Sequence, residues 1–232
     1  MRHFIVHTRR AGRVVTRPLN CGVMRHTMPD WFRNTRWNAS IEQAFNDKLR
    51  RARRKEQYLR IQASMLARSH PDVALALLTR YFELPNDFDH AQAHVDRATA
   101  YLALGRLADA ITAYEDALSR ESIFPNLLTE AYIDLPYLIA ARGIQEHYSR
   151  ALELLLRHKS RLMFPVDHFR WHTARALIAA AARDSETARV HSQQALTAAG
   201  REHSGFRHHP GVGLVTAQYD DTIKKLEALR AA

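Results

Sequence analysis

Residues Ala93 to Ala117, AHVDRATAYLALGRLADAITAYEDA, constrain this chain more than any other stretch. Two runs with apolar residues at helical spacing meet at Gly105. The pattern predicts two helices folded back on each other, with small residues where they cross. A single hairpin of this size cannot bury its apolar faces alone, so it must stack on further copies. The copies are visible. Ala74, Ala110, Ala151 and Ala188 recur at intervals of 36, 41 and 37 residues. Pro85, Pro125 and Pro165 recur every 40 residues, the last two after the pairs Ile123-Phe124 and Met163-Phe164. Proline costs little at the first position of a helix, where its missing N–H has no intrahelical partner, so these prolines are expected to precede or open successive units. With only 8 glycines and 8 prolines in 232 residues, a many-turned β fold is excluded and an all-α fold is predicted.

Tyr101, Gly105, Ala110, Tyr114 and Ala117 stand at the spacings of a tetratricopeptide repeat, and the stretch resembles that family. Weaker copies keep Ala74 and Leu78, then Gly143 and Ala151, then Trp171, Ala188 and Ala195. The resemblance implies a right-handed α-solenoid of helical hairpins in a single domain, residues 29–231, with units at about 57–84, 91–122, 129–158 and 168–199. It implies a non-catalytic scaffold that binds another protein. The chain is also similar to bacterial proteins that share the opening Trp31-Phe32-Arg33-Asn34 and the loop Ser204-Gly205-Phe206-Arg207, a similarity that brings no activity with it.

Before the repeats, Ile41, Phe45, Leu49, Ala52, Leu59, Ala63 and Leu66 form an apolar stripe. They predict a long N-terminal helix, or two nearly continuous ones, from about Ser40 to Arg68, with Ser40 and Gln43 as a capping box. Trp31, Phe32 and Trp37 are expected to fold over its end. After the repeats comes a loop at 200–213. A capping helix at 215–230 follows, with Val215, Tyr219, Ile223, Leu226 and Leu229 on its apolar side.

In the family the first helix of each unit lines a concave groove. Carried over by matching the repeats, this points to Leu66, Val95, Thr99, Leu102, Ile133, Tyr137, Phe169 and His172, an apolar groove suited to a peptide or an amphipathic helix. The Lys and Asn clamp that grips a terminal carboxylate in chaperone-binding members is absent from the matching places. Phe206 and His208 of the loop are expected to join Tyr137, Phe169 and His172 in one surface. The opposing expectation is that the C-terminal helix fills the groove itself.

The formal charge of +10 invites a nucleic-acid reading, but six arginines fall in residues 1–28. That acid-free stretch up to Thr27 is expected to be a disordered leader or a start assigned upstream of Met28. Within the remainder, Lys48, Arg50, Arg51, Arg53, Arg54 and Lys55 form a dense run able to neutralise phosphates, the alternative function. His168 and His172 lie one turn apart and are the only metal candidates drawn from the 14 histidines. No glutamate stands between them as a general base, and no nucleophile motif occurs. The expectation is therefore no catalytic residue, no cofactor, and a monomer or weak homodimer. One cysteine, Cys21, and no apolar run of about 20 residues suit a cytoplasmic protein without a membrane span.

Overall fold

The computed structural model describes residues 31–85 and 89–231; the leader 1–28 lies outside the described residues. The described residues form ten α-helices and no strand. In chain order these are α1 (Ala39–Arg51), α2 (Lys55–Leu66), α3 (Pro71–Phe82), α4 (His90–Ala103) and α5 (Leu107–Ile123). They continue with α6 (Ala131–Arg142), α7 (Tyr148–Arg157), α8 (Pro165–Ala181), α9 (Ser185–Ala199) and α10 (Asp220–Ala231). Short turns bring α2 against α3, α4 against α5, α6 against α7 and α8 against α9. Each pair also packs on the next, and α10 lies against α9 and α8.

Local chemistry explains the turns. Gly105 follows α4 with φ of 72° and Gly143 follows α6 with φ of 68°, a left-handed conformation that a side chain resists. Ala74, Ala110, Ala151 and Ala188 fall on α3, α5, α7 and α9, each no more than 2% exposed. Helix axes come within about 8–10 Å only where such small side chains meet the partner. The prolines stand where the spacing predicts: Pro165 opens α8, and Pro125 and Pro85 lie in the connections that precede α6 and α4. A further proline, Pro136, stands inside α6 and leaves the Tyr132 carbonyl without its helical donor.

The long N-terminal helix is two helices. Ala52 is extended, with ψ of 140°, and α2 begins only at Lys55. Unbroken, the helix would stack Arg50 on Arg53 and Arg54, and Arg51 on Arg54 and Lys55, like-charge neighbours that destabilise it. The break comes within that run. The expected capping box also does not form: Asn38 caps α1 instead, its side-chain oxygen accepting from the Ile41 N–H at 3.0 Å. Trp31, Phe32 and Trp37 do close over this end, packing on Phe45 and Tyr58. Asn34 locks the segment down. Its N–H groups donate to Gln62 Oε1 at 3.0 and 2.8 Å, and its carbonyl accepts from Gln62 Nε2 at 2.8 Å. At the other end α10 starts at Asp220 rather than 215, after a short 3₁₀ turn over Ala217–Tyr219.

The alanine crossings carry the first test. Ala110→Leu and Ala151→Leu are each expected to cost about 1–3 kcal/mol through overpacking. The measurement is the urea midpoint of each variant. Unchanged midpoints in both would mean that these residues do not set the helix spacing.

Candidate functional site

A cleft of about 670 Å³ opens between α4, α6 and α8. Thr99, Leu102 and Ala103 of α4 recur at one-turn spacing, as do Asp134, Tyr137, Leu138 and Ala141 of α6, so each set shares a helix face. Tyr114 of α5, Arg170 of α8 and Arg68, just beyond α2, complete the lining with Arg142 at the end of α6. Gln218 and Tyr219, from the turn before α10, form the remaining wall.

An ion pair lies at the centre. Arg170 Nη1 donates to Asp134 Oδ1 at 3.1 Å, and Arg170 Nε donates to the Tyr219 hydroxyl at 2.6 Å. Burial raises the Asp134 carboxyl above its ordinary range, while Arg170 and Arg68 pull it back. Burial also works against the Arg170 charge, but Asp134 and Tyr219 hold its pKa above the usual guanidinium value. The Tyr137 hydroxyl lies 3.2 Å from Thr222 Oγ1, and its ring meets Tyr219 edge-on. Burial pushes the Tyr114 and Tyr137 phenols up, so both stay neutral hydroxyls. Arg68 and Arg142 are exposed and make no hydrogen bond or ion pair with another described residue. With Asp134 committed to Arg170, the free charge of the cleft is positive. Its side chains offer donors and cations, a set that holds an anionic group rather than one that breaks a bond.

The eight groove residues read from the sequence divide. Thr99, Leu102 and Tyr137 line the cleft. Leu66, Val95, Ile133 and Phe169 do not: they are 0%, 8%, 0% and 0% exposed, turned inward against neighbouring helices. His172 faces α9, its Nδ1 lying 2.9 Å from His191 Nδ1, so one ring donates and the other accepts. The cleft that these helices form is lined by a mixture of apolar and cationic side chains, while Leu66, Val95, Ile133 and Phe169 are spent on the core.

Tyr137 and Phe169 do meet, through Tyr219 between them. Phe206 instead packs on Phe164 at 5.3 Å, and His208 is exposed. Ser204 pins the loop by accepting from the Phe206 N–H and donating to the His209 carbonyl. The C-terminal segment contributes a wall of the cleft and leaves the rest open. His168 is partly buried on α8, and among the described residues no three His, Cys, Asp or Glu side chains converge as metal ligands. Arg50, Arg51, Arg53, Arg54 and Lys55 are all exposed around the α1–α2 break.

Sequence reasoning missed Asp134, Arg170, Arg68, Arg142 and, as a wall of the cleft, Tyr219. A signal existed for the first two: Asp134 is a lone charge in an apolar run, and Arg170 stands 36 residues after it, close to one repeat interval. Compared with known proteins, the chain matches no family model, no curated protein and no solved structure. Among the described residues no helix is long and apolar enough to cross a membrane.

The buried histidines set a pH dependence. Burial, reinforced by His191, His168, Lys159 and Arg175, lowers His172 from 6.5 to about 4. Burial and Arg97 do the same to His94, against the opposing Asp116. A lowered folded-state pKa favours the unfolded chain once it can take the proton. Stability is thus full above pH 6.5 and falls between 6.5 and about 4, by up to about 1.4 kcal/mol per pH unit for each group. Asp96 and Asp134, raised by burial, work in the opposite sense. Urea midpoints measured at pH 7.5 and 5.0 should diverge in the native chain and converge in the His94→Gln, His172→Gln double variant. Equal acid losses in both would remove these histidines as the cause.

Proposed function

We propose that this chain is a non-catalytic scaffold, a right-handed solenoid of tetratricopeptide-like hairpins that holds an acidic segment of another protein. The observation that carries the reading is the open cleft along α4, α6 and α8, with two uncommitted arginines on its walls. Consecutive hairpins joined at regularly spaced alanines support the repeat architecture. So do the cross-hairpin pairs Arg60–Asp96 and Asp134–Arg170, each 36 residues apart. A planar guanidinium matches a carboxylate with two parallel hydrogen bonds, which favours acidic side chains in the bound segment. Leu102, Leu138 and the Tyr137 ring supply the apolar contact that such a segment needs between its charges. The volume, about 670 Å³ against about 30 Å³ for one water, suits several residues rather than a lone ion. The scaffold works as a cytoplasmic monomer or weak homodimer and needs no cofactor.

Fluorescence anisotropy with labelled Glu/Leu, Ser/Leu and Lys/Leu peptides tests this reading. The Glu/Leu peptide should bind best. Ala141→Trp, which fills the cleft from an exposed position, and the Arg68→Gln, Arg142→Gln pair should each weaken it by more than about tenfold, with melting temperature unchanged. Equal binding of the Ser/Leu peptide would overturn the acidic preference alone. Binding of all three that Ala141→Trp leaves intact would remove the cleft.

A further inference from the structure

The break between α1 and α2 presents a different kind of surface. Lys48, Arg50, Arg51, Arg53, Arg54 and Lys55 are all exposed there. Among them only Arg50 has an ion-pair partner in the described residues, Asp47 one turn back. Five arginines elsewhere, Arg60, Arg97, Arg150, Arg161 and Arg170, reach acids on neighbouring helices or connections. Six cations within eight residues repel one another, and among the described residues no ion pair to another helix compensates for them.

The absence of apolar groups beside the run decides what it fits. Trp31, Phe32, Trp37 and Tyr58 are turned into the aromatic cluster under α1 and α2. Among the described residues, the exposed large apolar side chain that comes next in sequence is Met65, ten residues beyond the run on α2. A protein partner would need a desolvated aromatic or aliphatic centre, and a bilayer would need side chains to insert. Neither is present. What remains is a convex array of guanidinium and ammonium groups, the arrangement that binds a phosphodiester backbone by releasing its counterions.

We propose that the α1–α2 elbow binds nucleic acid through its phosphate backbone, without reading the base sequence. Arg50, Arg51, Arg53, Arg54 and Lys55 supply the contacts. The half-buried aromatics are engaged with one another and with Phe45, so affinity follows charge rather than sequence. This surface is separate from the cleft between α4, α6 and α8, and its occupancy does not depend on the scaffold reading.

The test is fluorescence anisotropy of the full chain with a labelled 20-base-pair DNA duplex and a single-stranded RNA of equal charge, in two sequences each. Both sequences of a given polymer should bind alike. With about four phosphates neutralised, duplex affinity should fall roughly a hundredfold between 50 and 200 mM salt. Changing Arg50, Arg51, Arg53 and Arg54 together to Gln should weaken binding at least about tenfold and lower the salt slope by about three to four. Restoring lysine at all four should recover most of the affinity. The duplex and RNA arms show which polymer the elbow prefers. Retained affinity in the Gln variant would overturn the proposal, as would a marked sequence preference. Binding to poly-glutamate, or to vesicles of one-third phosphatidylserine, as tight as to either nucleic acid would overturn it too.

Discussion

Close approach between successive helices is the constraint on which the rest of this molecule depends. Ala74, Ala110, Ala151 and Ala188 are small residues buried on the second helix of each hairpin, where a close crossing needs them. A larger residue at any of them would push two helices apart and propagate along the chain, because each hairpin is positioned only by those beside it. Three apolar clusters follow from that arrangement: one under α1 to α4, one spanning α4 to α8, and one joining α8, α9 and α10. The apolar stripes of the first helices are consumed in making them. This is why the surface left facing the cleft mixes polar and charged groups with a few apolar side chains.

Close packing sets distance, and charge sets register. Each junction between hairpins carries at least one ion pair whose partners lie about one unit apart in sequence. Arg60 reaches Asp96, Glu115 reaches Arg150, Glu121 reaches Arg161 and Asp134 reaches Arg170, at separations of 36, 35, 40 and 36 residues. Exposed pairs of this kind contribute little free energy. The more buried ones cost nearly as much in desolvation as they return, so their worth lies in specifying one alignment over its neighbours. Glu121 shows the extreme case. At 6% exposure it accepts from the Thr129 N–H, the Thr129 hydroxyl and Arg161, while Arg161 also stacks on Tyr132. A slip of one turn between α5 and α7 would take Arg161 away and leave that buried carboxylate without its cation.

The division of the chain into helices was legible because alanine spacing and turn glycines are local signals that survive in one sequence. The break at Ala52 was harder to read. The apolar stripe from Ile41 to Leu66 runs straight through it, and only the like-charge crowding from Lys48 to Lys55 argues for a stop. The cleft was half legible. Matching repeats pointed to Thr99, Leu102 and Tyr137, and these three line the cleft. It could not separate them from Leu66, Val95, Ile133 and Phe169, because on a first helix the groove and core faces are only one residue apart. Asp134 escaped because it reads as an isolated charge and Arg170 because it is one of several polar residues on its helix; their meaning appears only when two units are aligned and the 36-residue separation becomes a contact. Tyr219 was assigned to a cap, and it does pack on Phe169, yet its hydroxyl accepts from Arg170 at the edge of the cleft.

Several arginines at hairpin junctions are paired with acids about one unit away, and the fold uses them up. Arg68 and Arg142 in the cleft and the run at the α1–α2 elbow make no ion pair with a described residue, apart from Arg50 with Asp47, although Arg68 lies near enough to Asp134 to lower its carboxyl. A fold that places a carboxylate at every junction has the means to neutralise these as well. Their exposure costs self-repulsion within the elbow and adds nothing to the core. The two sets differ in surroundings: the cleft pair is flanked by Leu102, Leu138 and Tyr137, whereas the elbow has its aromatics turned inward. Mixed apolar and cationic lining suits a polypeptide with alternating character, and bare cationic surface suits a uniform polyanion. The same residue type thus serves two partners of different chemistry, and the distinction is made by what the helices leave beside it.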